Sequence, residues 1–175
     1  MKSNVLRWQF IGFVFTAIFG VLLHFAYDWS GENGIVAVFS GVNESTWEHM
    51  KLLFFPLLVY ALIESRRLRD DYPNFWCVKL RGILLGLIMI PVIFYTANGV
   101  FGKTPDWFNI TIFFIAAAIA FIYEIKLLKR DKVFCLFEKG AFLILVILAL
   151  LFVIFTFFPP HIPLFMDPIT KLYGI

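Results

Sequence analysis

Residues 140–158 read GAFLILVILALLFVIFTFF and contain no charged side chain. An α-helix of this length is about 28 Å long at ~1.5 Å per residue, close to the roughly 30 Å hydrocarbon core of a bilayer. The segment therefore predicts a transmembrane helix. The rest of the chain has the same character, because hydrophobic residues make up 61% of it and charged residues only 15%. This composition excludes a water-soluble domain.

Four further hydrophobic segments precede this one. The five predicted spans cover residues 8–27, 44–63, 82–100, 107–125 and 140–158. The chain is therefore predicted to be all-α, a polytopic membrane helix bundle with five transmembrane helices. Residues 1–175 are predicted to form one membrane-embedded domain. The last span is followed by a Pro-rich tail, residues 159–175, whose apolar side chains predict that it folds back over the end of the bundle as a lid.

Lysine and arginine residues predict the orientation of the spans. Twelve of them would lie on one side: Lys2, Arg7, Arg66, Arg67, Arg69, Lys79, Arg81, Lys126, Lys129, Arg130, Lys132 and Lys139. The other side would hold only Lys51, Lys103 and Lys171. Because basic loops stay in the cytoplasm, the N-terminus is predicted inside and the C-terminus outside. The net charge of +3 then reflects topology, and no nucleic-acid partner is expected.

The two cysteines are predicted to lie on the cytoplasmic side. Cys77 precedes the third span, and Cys135 lies between the fourth and the fifth. A reducing compartment disfavours disulfides, so two free thiols are expected.

The second span is unusual because its apolar part is too short. Residues 50–63 read MKLLFFPLLVYALI and cover roughly 21 Å, while Glu64 and the arginines after it close one end. A full span that ends at Ile63 must begin near Glu44 and must include the segment NESTWEH, residues 43–49. Ionisable groups within a membrane are costly, and they commonly mark function.

Two interpretations of this segment remain open. Ser45 and Glu48 have the spacing of a capping box, in which each side chain bonds to the backbone of the other residue. Alternatively, Glu48 performs chemistry. Glu44, Glu48 and Lys51 share one helical face, and an ion pair between Glu48 and Lys51 would lower the cost of burying either charge.

The polar residues expected on the outer side predict a ligand-binding pocket, on which His24, Glu48 and His49 are expected to converge. The candidate ligand-binding residues are His24, Asp28, Asn43, Glu44, Trp47, Glu48, His49, Lys51 and His161. A divalent metal such as zinc is a further hypothesis, because zinc commonly takes histidine and carboxylate ligands. Its candidate ligands are His24, Glu48, His49 and His161. No HExxH signature supports a metal.

Three segments carry a resemblance to a known family. They are YDWSG at residues 27–31, NESTWEHMKLLFFP at residues 43–56 and FPPHIPLF at residues 158–165. The chain resembles an uncharacterised family of small integral membrane proteins of Gram-positive bacteria that share an NESxWEH motif. The resemblance covers most of the chain. It implies a multi-pass protein of the bacterial cell membrane, and it implies no activity.

The leading functional hypothesis is a small membrane protein with an outward-facing polar pocket that binds or moves a small ligand, a proton or a cation. A second is a membrane-embedded, metal-dependent hydrolase that acts on lipid or cell-wall precursor. The chain is alternatively the substrate-binding subunit of a transporter, with a protein partner in the membrane such as an ATPase, or a non-catalytic scaffold. Whether it is an enzyme stays open at this stage.

Overall fold

The computed structural model describes residues 4–130 and 133–175, so Lys2 and Lys132 of the basic count lie outside the described residues. The described chain contains six helices: α1 (Val5–Trp29), α2 (Gly34–Ala37), α3 (Thr46–Leu68), α4 (Phe75–Phe101), α5 (Asp106–Leu128) and α6 (Glu138–Phe157). Among these residues there is no strand, only one isolated bridge between Met166 and Tyr173. The prediction of an all-α chain is confirmed.

Every helix except the four-residue α2 is long and apolar enough to cross a membrane. The bounds differ from the predicted ones at the charged ends. Residue Glu64 does not close α3, which runs on to Leu68, and α4 already begins at Phe75, before Lys79. Glu64 and Lys79 are buried against each other. Since their charges are paired, both helices can continue through them.

The central helix of the bundle is α3. It packs against α1, α4, α5 and α6. In the apolar 18-residue stretch of each helix, 61% is buried inside the bundle for α3, against 22% for α1 and 22% for α6. It also has the lowest hydropathy of the five long helices. The least apolar helix is thus surrounded by the others, while α1 and α6 present apolar side chains outward.

Close packing between α1 and α3 depends on Gly20. Pro56 has no backbone N–H, so the Leu52 carbonyl four residues earlier lacks its usual helical partner. A Cβ atom at Gly20 would lie 3.2 Å from that carbonyl oxygen and would overlap Cζ of Phe113 in α5. The absence of a side chain therefore lets α1 approach both helices.

The tail folds back on the start of α3, as predicted. The Trp47 N–H donates to the Leu164 carbonyl at 3.0 Å. The Asn43 side-chain amide donates to the Gly174 carbonyl at 2.9 Å. We call this end of the bundle the tail end, and the opposite end the basic end.

The expectation of two free thiols is wrong in this structure, because Cys77 and Cys135 form a disulfide. Since α4 begins at Phe75, Cys77 lies in its first turn, where the loop between α5 and α6 crosses. The Asn74 side-chain amide donates to the Val133 carbonyl at 2.8 Å and holds that loop in place. The two Cα atoms are consequently 5.9 Å apart, a separation usual for disulfides.

Candidate functional site

Three ionisable side chains meet at the tail end. Glu44, just before α3, lies between His24 of α1 and His49 of α3. One of its carboxylate oxygens is 3.6 Å from Nε2 of His24, and the other is 3.5 Å from Nε2 of His49. The imidazole ring centres are 5.7 Å apart, and all three side chains are partly exposed. We call these residues the histidine–glutamate cluster.

Hydrogen bonding fixes the tautomer of His49. Its Nδ1 lies 2.9 Å from the Ser45 carbonyl oxygen, which can only accept, so Nδ1 carries a proton. In a neutral ring, Nε2 then presents a lone pair toward the Glu44 carboxylate, which is also an acceptor. An attractive contact between Glu44 and His49 therefore requires one more proton or a positively charged donor between them.

Ser40 attaches the first loop to α1 beside His24. The Ser40 hydroxyl accepts from the Tyr27 N–H at 2.9 Å and donates to the Leu23 carbonyl. The Gly41 N–H donates to the same carbonyl at 3.3 Å. Because Ser40 is fully buried, this loop and the turn of α1 that carries His24 form one packed unit.

Two cavities adjoin the histidine–glutamate cluster. The larger has a volume of about 650 Å³ and lies between α3, α4, α5 and the tail. The smaller, of about 340 Å³, lies against α1 and is lined by His24. Glu44 and His49 line both, so they stand at the boundary between them. The larger cavity also has apolar walls: Ile90, Phe94, Ile112 and Phe113.

A neutral polar network lines the larger cavity where α4 and α5 meet. The Asn98 side-chain oxygen accepts from the Thr104 N–H at 3.0 Å. The Thr104 hydroxyl lies 3.3 Å from the Asn109 side-chain oxygen. Thr104 and Asn109 were not predicted as site residues. The signal in the sequence was an asparagine near the start of an apolar segment.

Glu48 does not join the histidines, so the predicted convergence is wrong for this residue. Its carboxylate lies 2.5 Å from Lys51 Nζ and accepts from the Val42 N–H at 3.1 Å. Lys51 Nζ also donates to the Ala37 carbonyl at 2.9 Å and to the Thr156 hydroxyl at 2.7 Å. Glu48, Lys51 and Thr156 are at most 2% exposed. The predicted ion pair between Glu48 and Lys51 is confirmed.

Only half of the predicted capping box forms. The Ser45 hydroxyl accepts from the Glu48 N–H at 3.3 Å. The Ser45 N–H, however, donates to the Asn43 side chain at 2.9 Å. The Glu48 carboxylate is bound to Lys51, and the Asn43 side chain accepts from the Ser45 N–H in its place. Ser45 thus caps the helix, and the Glu48 side chain is free of that role.

The remaining predicted residues lie apart from the cluster. Trp47 is in the aromatic core, with its ring centre 4.4 Å from that of Phe152. The exposed Asp28 side chain has no contact with His24 among the described residues. His161 is exposed, and its ring centre lies 4.6 Å from that of Tyr173.

The predicted metal site is not supported. Within residues 4–130 and 133–175, no group of three or more His, Cys, Asp or Glu side chains is placed to hold a metal ion. The four predicted ligands do not come together, because Glu48 is bound to Lys51 and His161 lies on the tail. The two other predicted ligands, His24 and His49, both contact the carboxylate of Glu44.

Asp167 orders the tail beside the cluster. Its carboxylate accepts from the backbone N–H groups of Ile169 and Thr170 at 2.6 and 3.1 Å, and from the Glu44 N–H at 3.3 Å. Burial by itself would raise the pKa of this carboxyl, but the three N–H donors outweigh it and hold the pKa below its ordinary value. The tail residue therefore positions the backbone of Glu44.

The comparison with family models decides the affiliation. A model described as a family of unknown function, DUF6512, matches residues 1–175. The chain belongs to this family. No curated protein and no solved structure matches it. The predicted affiliation to an uncharacterised family is confirmed, whereas the NESxWEH motif as a family feature and the Gram-positive origin stay predictions.

Proposed function

We propose that the chain is a multi-pass protein of the bacterial cell membrane, with the basic end in the cytoplasm and the tail end outside. The five apolar helices support the location in a membrane. The excess of Lys and Arg at one end supports the orientation. Cys77 and Cys135 form a disulfide at the basic end, and a reducing compartment disfavours disulfides, so the redox state of this pair in cells tests the orientation.

We propose that the histidine–glutamate cluster binds a small ligand that carries a positive charge or an N–H donor. The observation that supports this most directly is the pair of acceptors formed by His49 Nε2 and the Glu44 carboxylate, 3.5 Å apart. A cationic or N–H group satisfies both acceptors. A proton would do the same, so ligand and proton would compete for this position.

The surroundings of the cluster suggest the rest of the ligand. The larger cavity offers room for a small molecule, with aromatic and aliphatic walls and the amide–hydroxyl network of Asn98, Thr104 and Asn109. A small organic amine or ammonium compound with an apolar part fits this chemistry. Of the hypotheses from sequence, the outward-facing ligand pocket is thus the one that the geometry supports best.

Thermal unfolding of the purified protein with a panel of small amines and quaternary ammonium compounds tests the proposal. A ligand stabilises the folded state by about 2.7 kcal/mol at a hundred times its dissociation constant. We expect at least one compound to stabilise the wild type and Glu32→Gln, whose side chain is exposed and lines neither cavity, but not Glu44→Gln. Equal stabilisation of the Glu44 variant would refute the assignment of the cluster.

A further inference from the structure

Four polar side chains from four helices are buried together at the basic end. Gln9 comes from α1, Glu64 from α3, Lys79 from α4 and Glu124 from α5, and none is more than 2% exposed. Lys79 Nζ contacts the Glu64 carboxylate and lies 2.5 Å from that of Glu124. The Gln9 amide donates to Glu64 at 2.7 Å. We call these residues the basic-end cluster; none was predicted as a site residue.

This cluster is separate from the proposed ligand pocket. Glu64 follows His49 by about four turns of α3, which corresponds to roughly 22 Å along the helix. The two sites share no residue. The chemistry of the basic-end cluster therefore does not depend on the proposed ligand.

The charges of the basic-end cluster do not balance. Two carboxylates, Glu64 and Glu124, face one ammonium group, Lys79. A further titratable group on α3 is Tyr60, one turn before Glu64, whose hydroxyl donates to the Trp8 carbonyl at 2.5 Å and so is not available to a carboxylate. With both carboxylates ionised the cluster carries a formal charge of −1, and an uncompensated buried charge is strongly unfavourable.

Glu64 and Glu124 both form their ion pairs with Lys79, and the neighbours of this ammonium group include two aromatic rings. Its ammonium group lies 5.5 Å from the ring centre of Phe75 and 5.8 Å from that of Phe121. On α3, Arg66 lies two residues after Glu64, and its side chain is exposed. The aromatic rings and the surrounding helices instead separate the cluster from solvent.

Hydrogen bonding indicates where a compensating proton would lie. Glu64 Oε1 accepts a hydrogen bond from Gln9, and Glu64 Oε2 forms an ion pair with Lys79 that lacks hydrogen-bond geometry. In Glu124, one oxygen contacts Lys79, but Oε1 is buried without a hydrogen-bond partner. The Gln9 side-chain oxygen is likewise buried without a partner. Of the four carboxylate oxygens in the cluster, Glu124 Oε1 is the one without a hydrogen-bond or ion-pair contact among the described residues.

The absence of a side chain at Gly82 of α4 leaves room for the Glu124 carboxyl group. A Cβ atom at Gly82 of α4 would overlap Cγ and Oε1 of Glu124. The Glu124 carboxyl group therefore packs directly against the backbone of α4 at Gly82.

We propose that the basic-end cluster binds one proton, which is carried on Glu124. The step forms one O–H bond between a proton from solvent and a carboxylate oxygen, and it breaks no bond in the protein. The formal charge of the cluster changes from −1 to zero. Protonation removes the negative charge that the single ammonium group of Lys79 leaves uncompensated. The basic-end cluster is in this sense a proton site within the helix bundle.

Infrared spectroscopy of the purified protein at neutral pH tests this proposal. A protonated carboxylic acid has a C=O stretching band above the amide region that shifts in D2O, whereas solvent-exposed Asp and Glu are ionised at this pH and do not contribute to it. We expect this band in the wild type and in Glu32→Gln, and its loss in Glu124→Gln. A wild type without the band, or a band that survives in Glu124→Gln, would overturn the proposal.

A second variant keeps the test decisive if Glu124→Gln does not fold. In Glu64→Gln, one carboxylate remains for one ammonium group, so the charges balance without an added proton. We expect the band to disappear in this variant as well, although Glu124 is intact. Persistence of the band in folded Glu64→Gln would contradict the charge argument. The ligand-stabilisation experiment at the tail end is unaffected by either result.

Discussion

Replacement of Glu48 by glutamine should destabilise the protein far more than loss of a helix cap. The Lys51 ammonium group is fully buried, and Glu48 is its only charged partner among the described residues. Glutamine keeps the shape of the side chain but leaves this charge uncompensated. Removal of one partner of a buried ion pair costs about 3–5 kcal/mol. We therefore expect Glu48→Gln to lower the free energy of unfolding by this amount.

The cap can be measured separately. It depends on the Ser45 hydroxyl and the backbone N–H of residue 48, which Glu48→Gln leaves in place. Ser45→Ala removes it at a cost of about 0.5–2 kcal/mol. In the double variant Glu48→Gln, Lys51→Met both charges are gone, and most of the lost stability should return, because replacing a buried pair by uncharged residues is often neutral or stabilising.

Equilibrium unfolding of the purified protein in detergent, followed by tryptophan fluorescence, provides the free energies for all four proteins. The expected order of stability places the wild type and the double variant above Ser45→Ala, and Glu48→Gln lowest. The reasoning fails if Glu48→Gln loses no more than the ~1 kcal/mol typical of a cap, or if the double variant is less stable than Glu48→Gln.

Three further outcomes are expected. Gly20→Ala should reduce stability by about 1–3 kcal/mol in the same assay, because its methyl group would overlap Phe113 in a packed core. Asp167→Asn should detach the tail and increase its cleavage by added protease. In the wild type, the bound tail should be protected from the protease. Because the pKa of Asp167 is lowered in the folded state, this protection should hold above the ordinary pKa of about 3.9 and be lost as the pH falls through the lower pKa of the folded protein. Protection that does not change with pH would contradict this. Cys77 and Cys135 should react as free thiols in intact cells if the basic end is cytoplasmic, and mass spectrometry showing an oxidised pair there would reverse the proposed orientation.

Local patterns in the sequence predicted local features well. The spacing of Glu48 and Lys51 predicted their ion pair, and Ser45 predicted the cap, because these contacts lie within one or two helical turns. The apolar segments predicted the five long helices. The return of the tail over the end of the bundle was expected from its apolar side chains, but its contacts with the start of α3 were not.

Contacts between distant parts of the chain were beyond these patterns. Thr156 lies 105 residues from its partner Lys51, and nothing in its apolar segment marks it. Glu64 was expected to end a span, because a single charged residue carries no sign of the partner that buries it. Glu44, and not Glu48, joins the histidines, since the loop before α3 and its contact with Asp167 decide which carboxylate faces them.

The low hydropathy of the central helix has a consequence for how the protein is made. A newly synthesised α3 carries Glu48, Lys51 and Glu64, and charged residues such as Asp or Lys cost about 2.5–3.5 kcal/mol each at the centre of an inserting helix. Glu48 and Lys51 can pair within α3, but Lys79, the charged partner of Glu64, is synthesised only afterwards, as is Glu124, the second carboxylate that binds Lys79. We therefore expect α3 to remain at the insertion machinery until α4 and α5 arrive, so that the three helices enter the lipid as one unit.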